Sequence, residues 1–186
     1  GSGSGPTLNA VPASSGGWIN DPTVLPITLV ATDPDGVSEA RYNWNSAASS
    51  TVGTTYTNNQ EIDPIEGSNN LYLWGRDSLG TQSTAGPFGL YQVDSVSPGI
   101  VSNIQSTPAS PTTDTTPSWS WNAASDPAPS SGIASYSLAL YKNGSLHATP
   151  APVTSTSWQQ PDYGTGTFTL YVYAGDTAGN NGPTGS

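Results

Sequence analysis

Apolar and polar residues alternate along most of this chain with a period of two. Ala40, Tyr42 and Trp44 alternate with Arg41, Asn43 and Asn45, and Leu71 and Leu73 alternate with Tyr72 and Trp74. Further on, Trp119 and Trp121 alternate with serines, and Tyr136, Leu138 and Leu140 with Ser137 and Ala139. Phe168, Leu170, Val172 and Ala174 do the same with Thr169, Tyr171 and Tyr173. Successive side chains of a strand point to opposite faces, so each run predicts a β-strand with one face in a core and one toward water. Val24 to Ala31 is apolar, which predicts a strand with Leu25, Ile27 and Leu29 on one face. No segment has a helical period. Lys142-Asn143-Gly144-Ser145 predicts a tight hairpin, because Asn-Gly accepts the positive φ values such turns need.

The pattern repeats. Pro12-Ala13-Ser14 recurs as Pro108-Ala109-Ser110, and Asp21-Pro-Thr recurs loosely around Asp114-Thr-Thr-Pro117. Ala31-Thr-Asp33-Pro recurs as Ala124-Ser-Asp126-Pro, and Gly36-Val37 as Gly132-Ile133. Leu71-Tyr-Leu-Trp-Gly-Arg-Asp77 recurs as Leu170-Tyr-Val-Tyr-Ala-Gly-Asp176, with Gly80 answered by Gly179. The offset is roughly 92 to 99 residues, a drift that loop insertions produce, and the unit has the size of one β-sandwich domain. The expected fold is therefore all-β, with two tandem immunoglobulin-like sandwiches of about seven strands each, at residues 6–97 and 98–186. Residues 1–5, Gly-Ser-Gly-Ser-Gly, read as an expression linker. The first unit continues past Gly86-Pro-Phe-Gly89 into Leu90-Tyr-Gln-Val93, its expected last strand, whereas the second stops at Gly182-Pro-Thr-Gly185-Ser186. Two readings stand: the second unit is cut short of its last strand, or a strand from another subunit completes it.

These residues carry a resemblance. Phe168-Thr-Leu-Tyr-Val-Tyr-Ala-Gly-Asp176-Thr-Ala-Gly-Asn180 is similar to strand F and the F–G turn of bacterial immunoglobulin-like and fibronectin-type-III-like repeats. Val93-Asp94-Ser-Val-Ser-Pro98 resembles the linker between such repeats in large surface proteins. The resemblance implies an extracellular or cell-surface location, with further repeats of the same parent protein as neighbours. It says little about ligands, since this sandwich hosts many roles.

Charge narrows the partners. Of 186 residues only Arg41, Arg76 and Lys142 are basic against thirteen acidic ones, for a net charge of −10. So few cations cannot neutralise a phosphate backbone, which argues against nucleic acid, and anionic membrane surfaces are disfavoured likewise. No stretch is apolar enough to insert in a bilayer. The absence of cysteine removes disulfides, thiol catalysis and thiolate-bound metals. Nine tyrosines and six tryptophans in regular alternation argue against disorder.

Two constellations are candidate sites. In this fold the B–C and F–G loops share a pole, which would gather Asp33, Asp35 and Asp77 in the first unit and Asp126 and Asp176 in the second. Asp94, in the linker, is expected to join the second set. Carboxylates with carbonyls and waters are the donor set calcium prefers. The alternative is that these aspartates only form Asx turns. The other constellation is aromatic: Tyr72 and Trp74 match Tyr171 and Tyr173 on the outward face of strand F, a candidate platform for a sugar ring. The alternative is ordinary sheet covering. Catalysis finds little support. His147 is the only histidine, no nucleophile-elbow motif is present, and Glu61, Asp63 and Glu66 form a short acidic run without a predicted cleft. The expected function is a non-catalytic spacer repeat of a bacterial, adhesin-like surface protein, stiffened by calcium at the domain junction. A carbohydrate- or protein-binding module and a strand-exchanging filament subunit are the alternatives.

Overall fold

The computed structural model describes residues 3–186, so most of the expected linker is described only from its third residue on. Gly5 already lies on the fold, where a Cβ would sit 2.6 Å from the Gln82 carbonyl carbon. The chain divides into two compact units between Ser95 and Val96, two residues before the expected junction.

Among the described residues, unit 1 contains eight strands. They are β1 (Thr7–Val11), β2 (Trp18–Ile19), β3 (Ile27–Thr32), β4 (Val37–Trp44), β5 (Thr54–Thr55), β6 (Gln60–Ile62), β7 (Gly67–Asp77) and β8 (Gln82–Val93). One sheet has the order β1-β3-β6 and the other β2-β8-β7-β4-β5. Alternation decides what lies between them. Ala10, Ile27, Leu29, Ala31, Ala40, Leu71, Leu73 and Tyr91 are buried together, with Tyr42 and Trp44 packed against them. The apolar run from Val24 begins as a strand only at Ile27. A single 3-10 turn, Pro22–Val24, takes its first part, capped by the Asp21 carboxylate on the Thr23 N–H at 2.9 Å. Pro22 and Pro26 lack the N–H groups a ladder requires there. The expected last strand, Leu90 to Val93, is the end of the twelve-residue β8, whose register shifts against β7 near Gly86 and Gly89. Gly89 has φ 129°, and a Cβ there would meet the Asn69 carbonyl oxygen at 2.8 Å. Glycine is what lets this bulged strand stay against β7.

Unit 2 contains β9 (Ser102–Thr107), β10 (Ser118–Asn122), β11 (Ile133–Lys142), β12 (Ser145–Ala148), β13 (Ser157–Gln159) and β14 (Phe168–Asp176). Its sheets have the orders β13-β10-β9 and β12-β11-β14. Trp119, Trp121, Tyr136, Leu138, Leu140, Leu170, Val172 and Ala174 fill its core, and Trp158 packs against it. The Asn143-Gly144 hairpin forms as expected, with φ of 52° and 81°. The expectation of an empty last-strand position needs correcting. Residues 181–185 run along β14, with antiparallel bridges Gly175 to Asn181 and Val172 to Gly185. Val172 and Gly185 exchange both backbone hydrogen bonds, at 2.9 and 2.8 Å. Pro183 interrupts the ladder between them, so the segment is a pair of bridges and not a strand.

Candidate functional site

The β3–β4 turn and the β7–β8 hairpin meet at one end of unit 1. Asp33-Pro34-Asp35-Gly36 turns because the Asp33 carbonyl accepts the Gly36 N–H at 3.0 Å and its Oδ1 accepts the Asp35 N–H at 2.8 Å. Gly36 supplies the positive φ, 83°. In the hairpin, Asp77 Oδ1 accepts the N–H groups of Leu79 and Thr81 at 2.9 and 2.7 Å. The Ser78 N–H donates to the Gly36 carbonyl at 3.0 Å and ties the two loops together. Asp33, Asp35 and Asp77 thereby each offer a carboxylate oxygen within 4.8 Å of the others. The Asx-turn role and the clustering coexist, because each turn uses one oxygen and leaves the other.

The remaining oxygens are the informative ones. Asp77 is 1% exposed, yet among the described residues neither its Oδ2 nor the buried Oδ2 of Asp35 has a hydrogen-bond partner. A buried carboxylate oxygen with no donor costs free energy, and two of them beside a third carboxylate add repulsion. A hard cation is a group that would satisfy such oxygens. Three carboxylates, completed by water or carbonyl oxygens, match the six to eight oxygens calcium takes, and mixed loop geometry suits it better than the stricter octahedron of magnesium.

The aspartates of the second expected set fall in different units, Asp94 in unit 1 and Asp126 and Asp176 in unit 2. The Asp94 N–H donates to the Ile19 carbonyl at 2.9 Å. In unit 2, Asp176 repeats the hairpin role of Asp77, its Oδ1 accepting the N–H groups of Gly179 and Asn180 at 2.7 and 2.8 Å. Its Oδ2, unlike that of Asp77, accepts the Asn180 side-chain amide at 2.7 Å. Asp126 Oδ2 accepts the Gly132 N–H at 2.6 Å and the Ser130 hydroxyl at 2.9 Å, and its Oδ1 is buried without a partner.

The aromatic prediction divides between the units. In unit 1 Trp74 cannot stack on a ligand, because it is 3% exposed and its Nε1 donates to Gln82 Oε1 at 3.0 Å. The Arg76 guanidinium lies 5.8 Å from the indole centre, and Arg41 stands opposite Trp74 across the strands. Glu39 bridges both arginines, at 2.7 Å to Arg41 and 3.0 Å to Arg76. Tyr72, beside Trp74 on that face, is half-buried and pairs with Asn43. Sequence reasoning had counted these arginines without placing them. Their parity with Trp74 on neighbouring strands was the available signal. In unit 2, Tyr171 and Tyr173 share the outward face with Tyr141, a ring outside the aromatic set expected from the sequence. The residues of the other sequence candidates do not converge. Glu61 and Asp63 are exposed, Glu66 accepts the Ser95 hydroxyl, and the exposed His147 sits edge-on to Tyr163 at 4.7 Å between ring centres.

No family model matches the chain, and no curated protein does. Solved structures do. A crystal structure of consecutive titin domains superposes with a TM-score of 0.50 at 12% identity over 87% of the chain. A bacterial ice-binding adhesin of 1.5 MDa gives 0.48 at 18% identity over 97%, and the fibronectin(III)-like modules of Clostridium thermocellum CbhA give 0.42 at 14% over 96%. The chain spans 56% of the titin fragment, 63% of the adhesin structure and 90% of the CbhA one. The fold is that of immunoglobulin-like and fibronectin-III-like sandwiches in tandem. Among the described residues no helix is long and apolar enough to cross a membrane.

Proposed function

We propose that this chain is a non-catalytic spacer of an extracellular or bacterial cell-surface, adhesin-like protein, and that calcium stiffens it. The observation that carries the reading is the partnerless, buried Oδ2 of Asp77, held beside Asp33 and Asp35. Calcium there links the β3–β4 turn to the β7–β8 hairpin, which connects strands at the centre of the five-stranded sheet. The two loops are then clamped together by a bond that water cannot replace cheaply. Asp126, with its own partnerless oxygen, is the corresponding place in unit 2. An acidic, cysteine-free sandwich gains from such a clamp what other secreted domains gain from disulfides. The filament alternative is disfavoured, because residues 181–185 already occupy the edge of β14 that a neighbour's strand would need.

The test is mechanical and calorimetric, on the whole chain. Titration of calcium into chelator-treated protein is expected to release or absorb heat with a dissociation constant of about 0.1–1 mM, the range of extracellular calcium modules. Single-molecule stretching is expected to show a higher unfolding force for at least one unit in calcium than in chelator. No binding heat together with identical forces in both buffers rejects the calcium clamp.

A further inference from the structure

The two units are built on the same strands, and this allows a residue-by-residue comparison of their outward sheet faces. The repeat aligns β7 with β14, so that Trp74 corresponds to Tyr173 and Arg76 to Gly175. The cross-strand pairs align the partner strand. Trp74 stands opposite Arg41, and Tyr173 opposite Ser137; Arg76 stands opposite Glu39, and Gly175 opposite Ser135. Every charged residue of the unit 1 network is thus replaced in unit 2 by serine or glycine. In unit 1 that network accompanies a buried indole. In unit 2, without it, Tyr141, Tyr171 and Tyr173 are half-buried rather than buried.

What remains in unit 2 is a shallow cavity of about 310 Å³ lined by Ala139, Tyr141, Tyr171, Tyr173 and Thr184. Tyr141 and Tyr171 meet edge to face at 5.1 Å between ring centres, which fixes their planes. Ala139, opposite Tyr171, is too small to fill the space beside it. Among the described residues no hydrogen bond engages the hydroxyls of Tyr141, Tyr171 or Tyr173. By contrast, the core tyrosines Tyr56 and Tyr91 donate to the carbonyls of Val30 and Pro12. The rings therefore present apolar faces with free hydroxyl donors at their rims, and the lining carries no formal charge.

We propose that this face of unit 2 binds a neutral polysaccharide, stacking the C–H face of a sugar ring on Tyr171 and Tyr173. The ligand class follows from the chemistry. Aromatic faces recognise the apolar side of a pyranose while phenol hydroxyls meet its polar edge. An anionic glycan finds no cation here and meets a chain of net charge −10. The proposal is independent of the calcium reading, since no lining residue is an aspartate.

Affinity electrophoresis of the whole chain through gels containing galactomannan, mixed-linkage glucan, xylan or dextran tests it, with alginate as the anionic control. At least one neutral polysaccharide is expected to retard the protein, with alginate inert. Tyr171→Ala and Tyr173→Ala are each expected to weaken binding by about tenfold or more, the loss of one stacked ring. Ser137→Arg restores the residue that unit 1 places opposite its indole, and it is expected to abolish retardation without unfolding the domain. Val24→Ala, at a position of unit 1 that is 64% exposed, leaves retardation unchanged. Mobility unaffected by all four neutral polysaccharides overturns the proposal. So does retardation that survives both tyrosine variants, preferential binding of alginate, or concentration-dependent dimerisation that Tyr171→Ala abolishes while no polysaccharide binds.

Discussion

Replacing Asp77 by asparagine is expected to have opposite effects with and without calcium. Asparagine keeps Oδ1, and with it the hydrogen bonds from Leu79 and Thr81. It replaces the partnerless Oδ2 by an amide that donates toward the neighbouring carboxylates. At 4.8 Å, the upper limit of the separation, two full charges repel by about 3.5 kcal/mol at an effective dielectric constant of about 20. Asp33 and Asp35 are half-buried, so water and salt reduce the benefit of removing Asp77's charge to about 1–2 kcal/mol. In chelator Asp77→Asn is therefore more stable than the wild type by that amount. With calcium the wild type gains in response, and the order reverses for a dissociation constant of about 0.1 mM. At about 10 mM calcium and a dissociation constant of about 0.1–1 mM, a ligand that binds only the folded state adds about 1.4–2.7 kcal/mol to the wild type. The variant, one charged ligand short, gains little. Hydrogen exchange of the whole chain, read in peptides covering the β3–β4 turn and the β7–β8 hairpin, reports this locally. Calcium is expected to slow wild-type exchange there by about 10- to 100-fold and to leave the variant nearly unchanged. Faster exchange of Asp77→Asn than wild type in chelator refutes the repulsion argument. Equal calcium protection of both proteins refutes the assignment of Asp77 as a ligand.

Two other predictions concern the cores. Burial pushes the phenols of Tyr56 and Tyr91 up from 10.0 to about 12. The folded state therefore favours the neutral, protonated ring, so this stability is complete below pH 10 and is lost as pH rises toward 12. Each phenol is worth roughly 2–3 kcal/mol across that window. Urea midpoints should fall steeply there, and less steeply in Tyr91→Phe; a variant curve parallel to wild type contradicts the assignment. In unit 2, the Trp119 indole N–H donates to Oε1 of fully buried Gln160 at 3.0 Å. Trp119→Phe leaves that oxygen without its donor and is expected to cost about 1–3 kcal/mol beyond the lost ring volume. The double variant with Gln160→Leu should recover part of the loss in equilibrium unfolding, and strictly additive losses would show the bond to be unimportant.

Strand identity and the pairing of distant aspartates were legible in the residues themselves. A period of two leaves one way to bury Ile27, Leu29, Leu71 and Leu73, and the repeated Asp-Pro at Asp33 and Asp126, with the matching Asp77 and Asp176, marks the loops between strands. Once the fold is a sandwich, the loops holding Asp33, Asp35 and Asp77 must share a pole, and they do. Alternation also placed Trp74 and Tyr173 on the outward face, but outward is not exposed. Whether a ring meets solvent depends on what stands opposite it one strand away, which is a matter of register. Arg41, Glu39 and Arg76 accompany the buried indole of unit 1, while Ser137, Ser135 and Gly175 accompany the half-buried tyrosines of unit 2. Likewise, no local rule distinguishes the satisfied Oδ2 of Asp176 from the partnerless Oδ2 of Asp77. The sequence by itself determined the strands, the repeat and the meeting of the acidic loops, because these follow from backbone periodicity and topology. Only the tertiary structure decided which carboxylate oxygens lack donors and which aromatic faces are free, because both depend on side chains brought together from strands far apart in the chain.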